Sequence, residues 1–170
     1  MTVKEIIEKS AELLGVELTE ENTENFLRCY NLVENELAID YFPLRAVDKV
    51  LIKDNKIKYT DLKNKPSRIL SVRDFQNDEV KYRLYPEYLE LKKNYDGSYF
   101  FVRYNYIPEE KTIDEKCDYD CSYEQVFKYG VCSEYCIMQG DYETASAFNY
   151  KYKNAIQERY AKRKRSDNGD

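Results

Sequence analysis

Histidine is absent from the 170 residues of this chain, and several chemistries go with it. No Ser-His-Asp or Cys-His arrangement can be assembled, and there is neither a histidine metal ligand nor a histidine general base. Glycine is scarce, with five residues at Gly15, Gly97, Gly130, Gly140 and Gly169. Neither a phosphate-cradling P-loop nor a dinucleotide-binding fingerprint fits that distribution. No run of about 18 uncharged apolar residues occurs, and the N-terminus, with Lys4, Glu5, Glu8 and Lys9, reads as an amphipathic helix rather than a signal peptide. A cytoplasmic product with no membrane association is expected. The 27 Lys and Arg against 32 Asp and Glu give a net charge of -5, which argues against a surface that grips nucleic acid everywhere and confines any such contact to a local patch. Carboxylate catalysis is the enzymatic chemistry left open, yet no acidic pair stands out where 35% of residues are charged.

What is present suits one domain, long enough to bury roughly 70% of the surface its unfolded chain would expose. The pattern predicts an α+β fold in which N- and C-terminal helical hairpins form a bundle around an inserted small antiparallel sheet or partly open barrel. The divisions are a helical hairpin over 1–43, a β insertion over 44–108, a connection over 109–121, a second hairpin over 122–165 and a flexible tail over 166–170. Thr2 with Glu5 matches a capping box ahead of Ile6, Ile7, Ala11, Leu13 and Leu14, closed by Gly15. Thr19 caps a longer helix carrying Phe26, Tyr30, Val33, Leu37 and Tyr41 at spacings of three and four, stopped by Pro43.

Beyond Leu44 the period falls toward 2. Residues 47–60 read as a β-hairpin turning at Asp54-Asn55, followed by strands at 69–75, 80–84, 88–92 and 99–106, the last entered by an Asp96-Gly97 turn. Ser122 with Gln125 gives another capping box, after which Val126, Tyr129, Cys132, Ser133, Cys136 and Ile137 face one way. Gly140 suits a left-handed closing position and Asp141 caps the next helix, lined by Ala145, Phe148, Tyr152, Ala155, Ile156 and Tyr160.

Three features invite functional readings. Cys117-x-x-x-Cys121 and Cys132-x-x-x-Cys136 could supply four thiolates to zinc, but structural zinc sites usually start from a two-residue spacing, and one helical turn suits small core residues better. No metal is expected, and Cys29 makes the count odd for disulfides. The second feature is the load of 18 tyrosines, with Tyr99, Phe100, Phe101, Tyr104 and Tyr106 on one strand. Beside Arg103, and with Tyr82, such rings could stack unpaired bases, while core and subunit-interface packing is the favoured reading. The third is the terminal set Arg159, Lys162, Arg163, Lys164 and Arg165, balanced between a solvated helix end and a docking element for an acidic groove or DNA phosphate.

The stretch "NLVENELAIDYFPL" at 31–44, "YNYIPEE" at 104–110 and "YGVCSEYCIMQGDYETASAFNYKYKNAI" at 129–156 resemble tailed-bacteriophage head-tail adaptors, also called connector, neck or head-completion proteins. The resemblance spans most of the chain, and its motifs are structural rather than catalytic. It implies a non-enzymatic virion protein without cofactors, made in the bacterial host cytoplasm and placed in the neck. It further implies a homo-oligomeric ring, commonly of twelve copies, between the portal protein and the tail or next neck protein, through which DNA passes without sequence-specific binding. The C-terminal helix and basic run would dock on the portal. Readings outside that family are a single-stranded nucleic-acid-binding module using the aromatic strand, and a small carboxylate enzyme.

Overall fold

The Thr2 hydroxyl accepts the Glu5 amide at 3.2 Å while the Glu5 carboxylate accepts the Thr2 amide at 2.8 Å, so the first helix opens on a complete capping box. The structure is a computed structural model that describes residues 1–93, 95 and 97–167, with side chains described through residue 163. Its fold is mixed α+β, in two units, Met1–Leu37 with Glu109–Asp170, and Ala38–Pro108. The first unit holds α1 (Val3–Leu14), α2 (Glu20–Glu36), α3 (Glu124–Met138) and α4 (Tyr142–Asp167). The second holds β1 (Leu44–Leu51), β2 (Lys56–Lys58), β3 (Pro66–Arg73), β4 (Tyr82–Leu84), β5 (Tyr88–Leu91) and β6 (Tyr99–Tyr106).

Val3, Ile6, Ile7 and Ala11 bury one stripe of α1, and Gly15 ends it at φ 65°. Leu13, expected on that stripe, is exposed, because at about 100° per residue it sits roughly 80° from the stripe's centre. Thr19 caps α2 by accepting the Asn22 amide at 3.2 Å, and Phe26, Tyr30 and Val33 are buried as their spacing requires. After Glu36 the chain makes a π-helical turn, Leu37–Tyr41, before Pro43. The start of α3 differs from expectation. Ser122 does not cap it, and α3 opens after Tyr123 with no side-chain cap; Asp120 instead caps the turn before it, its carboxylate accepting both the Ser122 amide, at 2.7 Å, and the Ser122 hydroxyl. An ionised acceptor outcompetes a hydroxyl for the free amides, so a 3₁₀ turn at Cys121–Tyr123 precedes the helix. The α3–α4 turn is as read: Gly140 stands at φ 79°, the Asp141 amide donates to the Cys136 carbonyl at 2.9 Å, and the Asp141 carboxylate accepts the Thr144 amide at 3.1 Å.

Within this unit α3 is the shared neighbour. It meets α2 through the stacked pairs Phe26–Tyr135 at 4.0 Å and Tyr30–Phe127 at 5.2 Å, α4 through Ser133 donating to the Ala145 carbonyl at 3.2 Å, and α1 through the Cys132 thiol on the Ser10 carbonyl at 3.5 Å. The three helices α2, α3 and α4 converge at Gly130. A Cβ there would lie 2.9 Å from Val33 Cγ1 and 3.0 Å from Tyr152 Cε2.

The β unit contains two three-stranded antiparallel sheets, ordered β1-β6-β3 and β2-β5-β4, instead of the single sheet or partly open barrel expected. They bury a common core of Val50, Ile52, Ile57, Val72, Leu89, Leu91, Phe100, Val102 and Tyr104. The turn at Asp54-Asn55 forms, with φ of 52° and 58°, and an antiparallel bridge between Lys53 and Lys56 closes it, yet the hairpin does not extend into β1 and β2. β1 pairs along all eight residues with β6, from Leu44↔Tyr106 to Leu51↔Tyr99, and β2 pairs with β5. The long ladder to β6 satisfies many more backbone groups than a three-residue partner could, so the non-local pairing wins. β3 ends at Arg73, ahead of the predicted end at Phe75, because the Asp74 carboxylate accepts the Gln76 and Asp78 amides at 2.9 and 3.0 Å and turns the chain. Val80 is buried outside any strand, donating its amide to the Val72 carbonyl at 2.9 Å. Of the predicted Asp96-Gly97 turn, Gly97 has φ 78° and Asp96 lies outside the described residues.

Gly130→Ala sets a gain in helix propensity of about 1 kcal/mol against overpacking that costs about 1–3 kcal/mol. With both clashing neighbours held in buried helix faces, overpacking dominates. The variant is expected to unfold at lower denaturant concentration than the parent chain; equal or greater stability in urea would show that the helices part freely at this point.

Candidate functional site

Three groups of residues merit attention: the C-terminal cations, the aromatic strand, and a buried polar cluster that the sequence did not announce. The cations are not one set. Arg159 folds back on the loop ahead of α3, its guanidinium 4.5 Å from the Tyr123 ring centre and 3.9 Å from the Asp120 carboxylate, which makes it a clamp on that loop. Lys162 and Arg163 are exposed, and the Lys164 and Arg165 side chains lie outside the described residues. α4 continues to Asp167, while residues 168–170 of the expected tail are again outside. At the other end of α4, the Gly140-Asp141 turn is flanked by exposed Ile137, Met138 and Tyr142.

Strict alternation divides β6. Tyr99, Phe101 and Arg103 point to one face and are exposed, whereas Phe100, Val102 and Tyr104 point to the other and are buried. Tyr104, grouped with the exposed rings on sequence grounds, is therefore a core residue. Its hydroxyl donates to Asp48 at 2.6 Å and accepts the Asn64 amide at 3.2 Å, and the same Asp48 oxygen takes the Lys63 amide at 2.8 Å. Burial and the Asp48 hydrogen bond both push its pKa up. Tyr82, on β4, packs half-buried against the core instead of joining Tyr99 and Phe101.

The buried cluster centres on Glu34, which is 1% exposed. One carboxylate oxygen accepts the Tyr30 hydroxyl at 2.8 Å, the Asp118 amide at 3.2 Å and the Cys117 thiol at 3.7 Å, while the other is shut off without a partner among the described residues. Burial raises the Glu34 pKa, opposed by the hydrogen bonds from Tyr30 and the Asp118 amide. Burial likewise holds the Cys117 thiol at about 12, so it stays protonated and is a poor nucleophile. Asn31 and Lys111 join the same junction by exchanging two hydrogen bonds, at 2.8 and 3.1 Å. The arrangement ties α2 to the segment entering α3 and offers a substrate no accessible group. Its one sequence signal is spacing: Glu34 stands four residues after Tyr30, on the apolar stripe where a carboxylate is out of place.

Cys29, Cys132 and Cys136 are buried, Cys117 is half-buried and Cys121 exposed. Among the described residues no three His, Cys, Asp or Glu side chains converge as a metal site, and no helix is long and apolar enough to cross a membrane. No protein-family model and no curated protein matches this chain.

Because its folded-state pKa is raised above the ordinary glutamate value of 4.5, Glu34 binds a proton more readily folded than unfolded. Its contribution to stability is complete below that value and is lost as pH rises through the folded pKa. Glu34→Gln keeps an acceptor for Tyr30 and Asp118 and removes the titration. The variant's advantage over the parent chain in urea unfolding should widen from acid toward neutral pH; a difference that does not change with pH would show that Glu34 is not the titrating group.

Proposed function

We propose that this chain is a structural subunit of a tailed-phage neck, a head-tail adaptor that assembles as a ring between portal and tail and prolongs the channel through which DNA leaves. In this reading the four helices are the adaptor's bundle, built from N- and C-terminal helical hairpins, and the β unit is the insertion between them. The subunit is not an enzyme and needs no cofactor. A ring closed by head-to-tail contacts requires two unlike, complementary surfaces on each copy.

The observation that carries the reading is a partition of charge that the net value conceals. The unit Ala38–Pro108 has 14 Lys and Arg against 10 Asp and Glu, a net of +4, and the helical unit has 13 against 22, a net of -9. Oppositely charged surfaces steer neighbouring copies into one register and disfavour like-to-like pairing. The exposed apolar side chains beside the α3–α4 turn, Ile137, Met138 and Tyr142, supply the dry contact that charge alone does not. Docking on the portal falls to Lys162, Arg163, Lys164 and Arg165, since Arg159 is engaged within its own subunit.

Negative-stain imaging and mass measurement of the protein alone and mixed with its portal test this. Rings should form in one or both samples and come apart as added salt shortens the screening length from ~30 Å toward ~3 Å. A chain that stays monomeric in both samples at every ionic strength would refute the adaptor reading. Truncation before Lys162 removes only the last helical residues of α4 and should leave the melting temperature unchanged while weakening capture by the portal; undiminished capture would assign docking elsewhere.

A further inference from the structure

The outer face of the β1-β6-β3 sheet carries a second, independent feature. Antiparallel partners that stand directly opposite share a face, so the register places Arg45 beside Asn105, Val47 beside Arg103, Lys49 beside Phe101 and Leu51 beside Tyr99 on one side of β6. On its other side Arg68, Ser71 and Arg73 stand opposite Asn105, Arg103 and Phe101. The face thus presents five cations around two aromatic rings, and these three strands contribute no carboxylate to it, since Asp48 points into the core. Tyr99 is 50% exposed, Phe101 39% and Val47 60%, and all five cations are exposed. Lys49 lies 4.5 Å over the Tyr99 ring. Glu79 bridges to Arg73 at the sheet edge, yet among the described residues no carboxylate comes within ion-pair distance of Arg45, Lys49, Arg68, Arg73 or Arg103.

A sheet that merely kept itself soluble would alternate signs, and an apolar subunit contact would not ring two aromatics with like charges that repel one another. We propose that this face binds single-stranded nucleic acid, with bases stacked on Tyr99 and Phe101 and phosphates held by Arg45, Lys49, Arg68, Arg73 and Arg103. The rings stand two residues apart on one strand, about 7 Å, which gives each its own base. Every base has a π-face, so recognition is tolerant of sequence, and stacking makes it selective for unpaired strands. Ring faces and phosphates are common to deoxyribose and ribose strands, so a site built from them takes both. This proposal does not depend on ring assembly.

Fluorescence anisotropy with labelled oligothymidylate and oligouridylate of about 16 nucleotides tests it on the full-length protein. Both strands should bind with similar affinity, more tightly than a duplex of the same length or inorganic polyphosphate, and a plot of log affinity against log salt should slope by about -2 to -4. Phe101→Ala should weaken binding roughly ten- to a hundredfold, the loss of one stacked base. Arg103→Glu should weaken it and flatten the slope, and truncation before Lys162 should leave it unchanged. Both substitutions are at exposed positions, and unchanged melting temperatures would confirm that the fold is kept. The proposal is overturned if no strand binds, if polyphosphate or duplex binds as tightly, if the truncation abolishes binding, or if the two substitutions alter self-association and leave strand affinity intact.

Discussion

The helical unit depends on a single close approach. At Gly130 the backbone of α3 comes so near Val33 of α2 and Tyr152 of α4 that a methyl group would not fit without movement. Glycine in mid-helix sacrifices about 1 kcal/mol relative to alanine, and here the return is contact: α3 can touch α2 and α4 at the same level. The consequences spread along both interfaces. Phe26 lies flat on Tyr135 at an interplanar angle of 4°, and Tyr152, drawn in by the same approach, donates its hydroxyl to Glu36 at 3.0 Å. Larger side chains at position 130 would hold the helices apart and remove those contacts together, which is why such sites behave as units in mutational series.

The second constraint on that unit is electrostatic and runs against stability. Glu34 sits among apolar neighbours with one oxygen triply hydrogen-bonded and the other unpaired. A buried carboxylate of this kind is tolerated where its bonds fix a geometry that packing alone leaves loose. The geometry it fixes is the entry of residues 111–119 onto α2. That segment leads into the Asp120 cap and the Arg159 clamp, so a polar network, beginning at Glu34 and ending on α4, sets where α3 begins.

Elements governed by local chemistry were legible in the sequence. The capping box at Thr2, the caps at Thr19 and Asp141, and the left-handed closures at Gly15 and Gly140 are read directly from residue type and spacing, because the interactions that form them are local. Elements decided by distant partners were not. Nothing near residue 50 says that β1 pairs with a strand about a third of the chain away, while at Ser122 the miss was local, since Asp120 two residues earlier takes its hydroxyl. The candidate surface was half legible: Tyr99, Phe101 and Arg103 share one face of β6, while Tyr104 was grouped with them against the two-residue period that sends it to the core, and Tyr82 packs against the core from β4. The cations that complete the face, on β1 and β3, became visible once the register was known.

Net charge was the least informative number about this chain, because it averages two opposites. An acidic helical unit and a basic β unit sum to a value that suggests indifference to nucleic acid, although affinity for phosphate is set by the cations that reach it and not by the total. The same segregation serves both readings without conflict. In the adaptor reading, unlike charges on separate units would favour head-to-tail contact between copies, and they also concentrate the cations, so that one sheet presents five of them with no carboxylate within ion-pair distance among the described residues. What a neutral or evenly mixed surface would lose is direction: strands and neighbouring subunits alike would meet every part of the molecule equally. In the proposed strand-binding role the β unit would be the part that meets anions, and the exposed rings of β6 would determine which anions it holds longest.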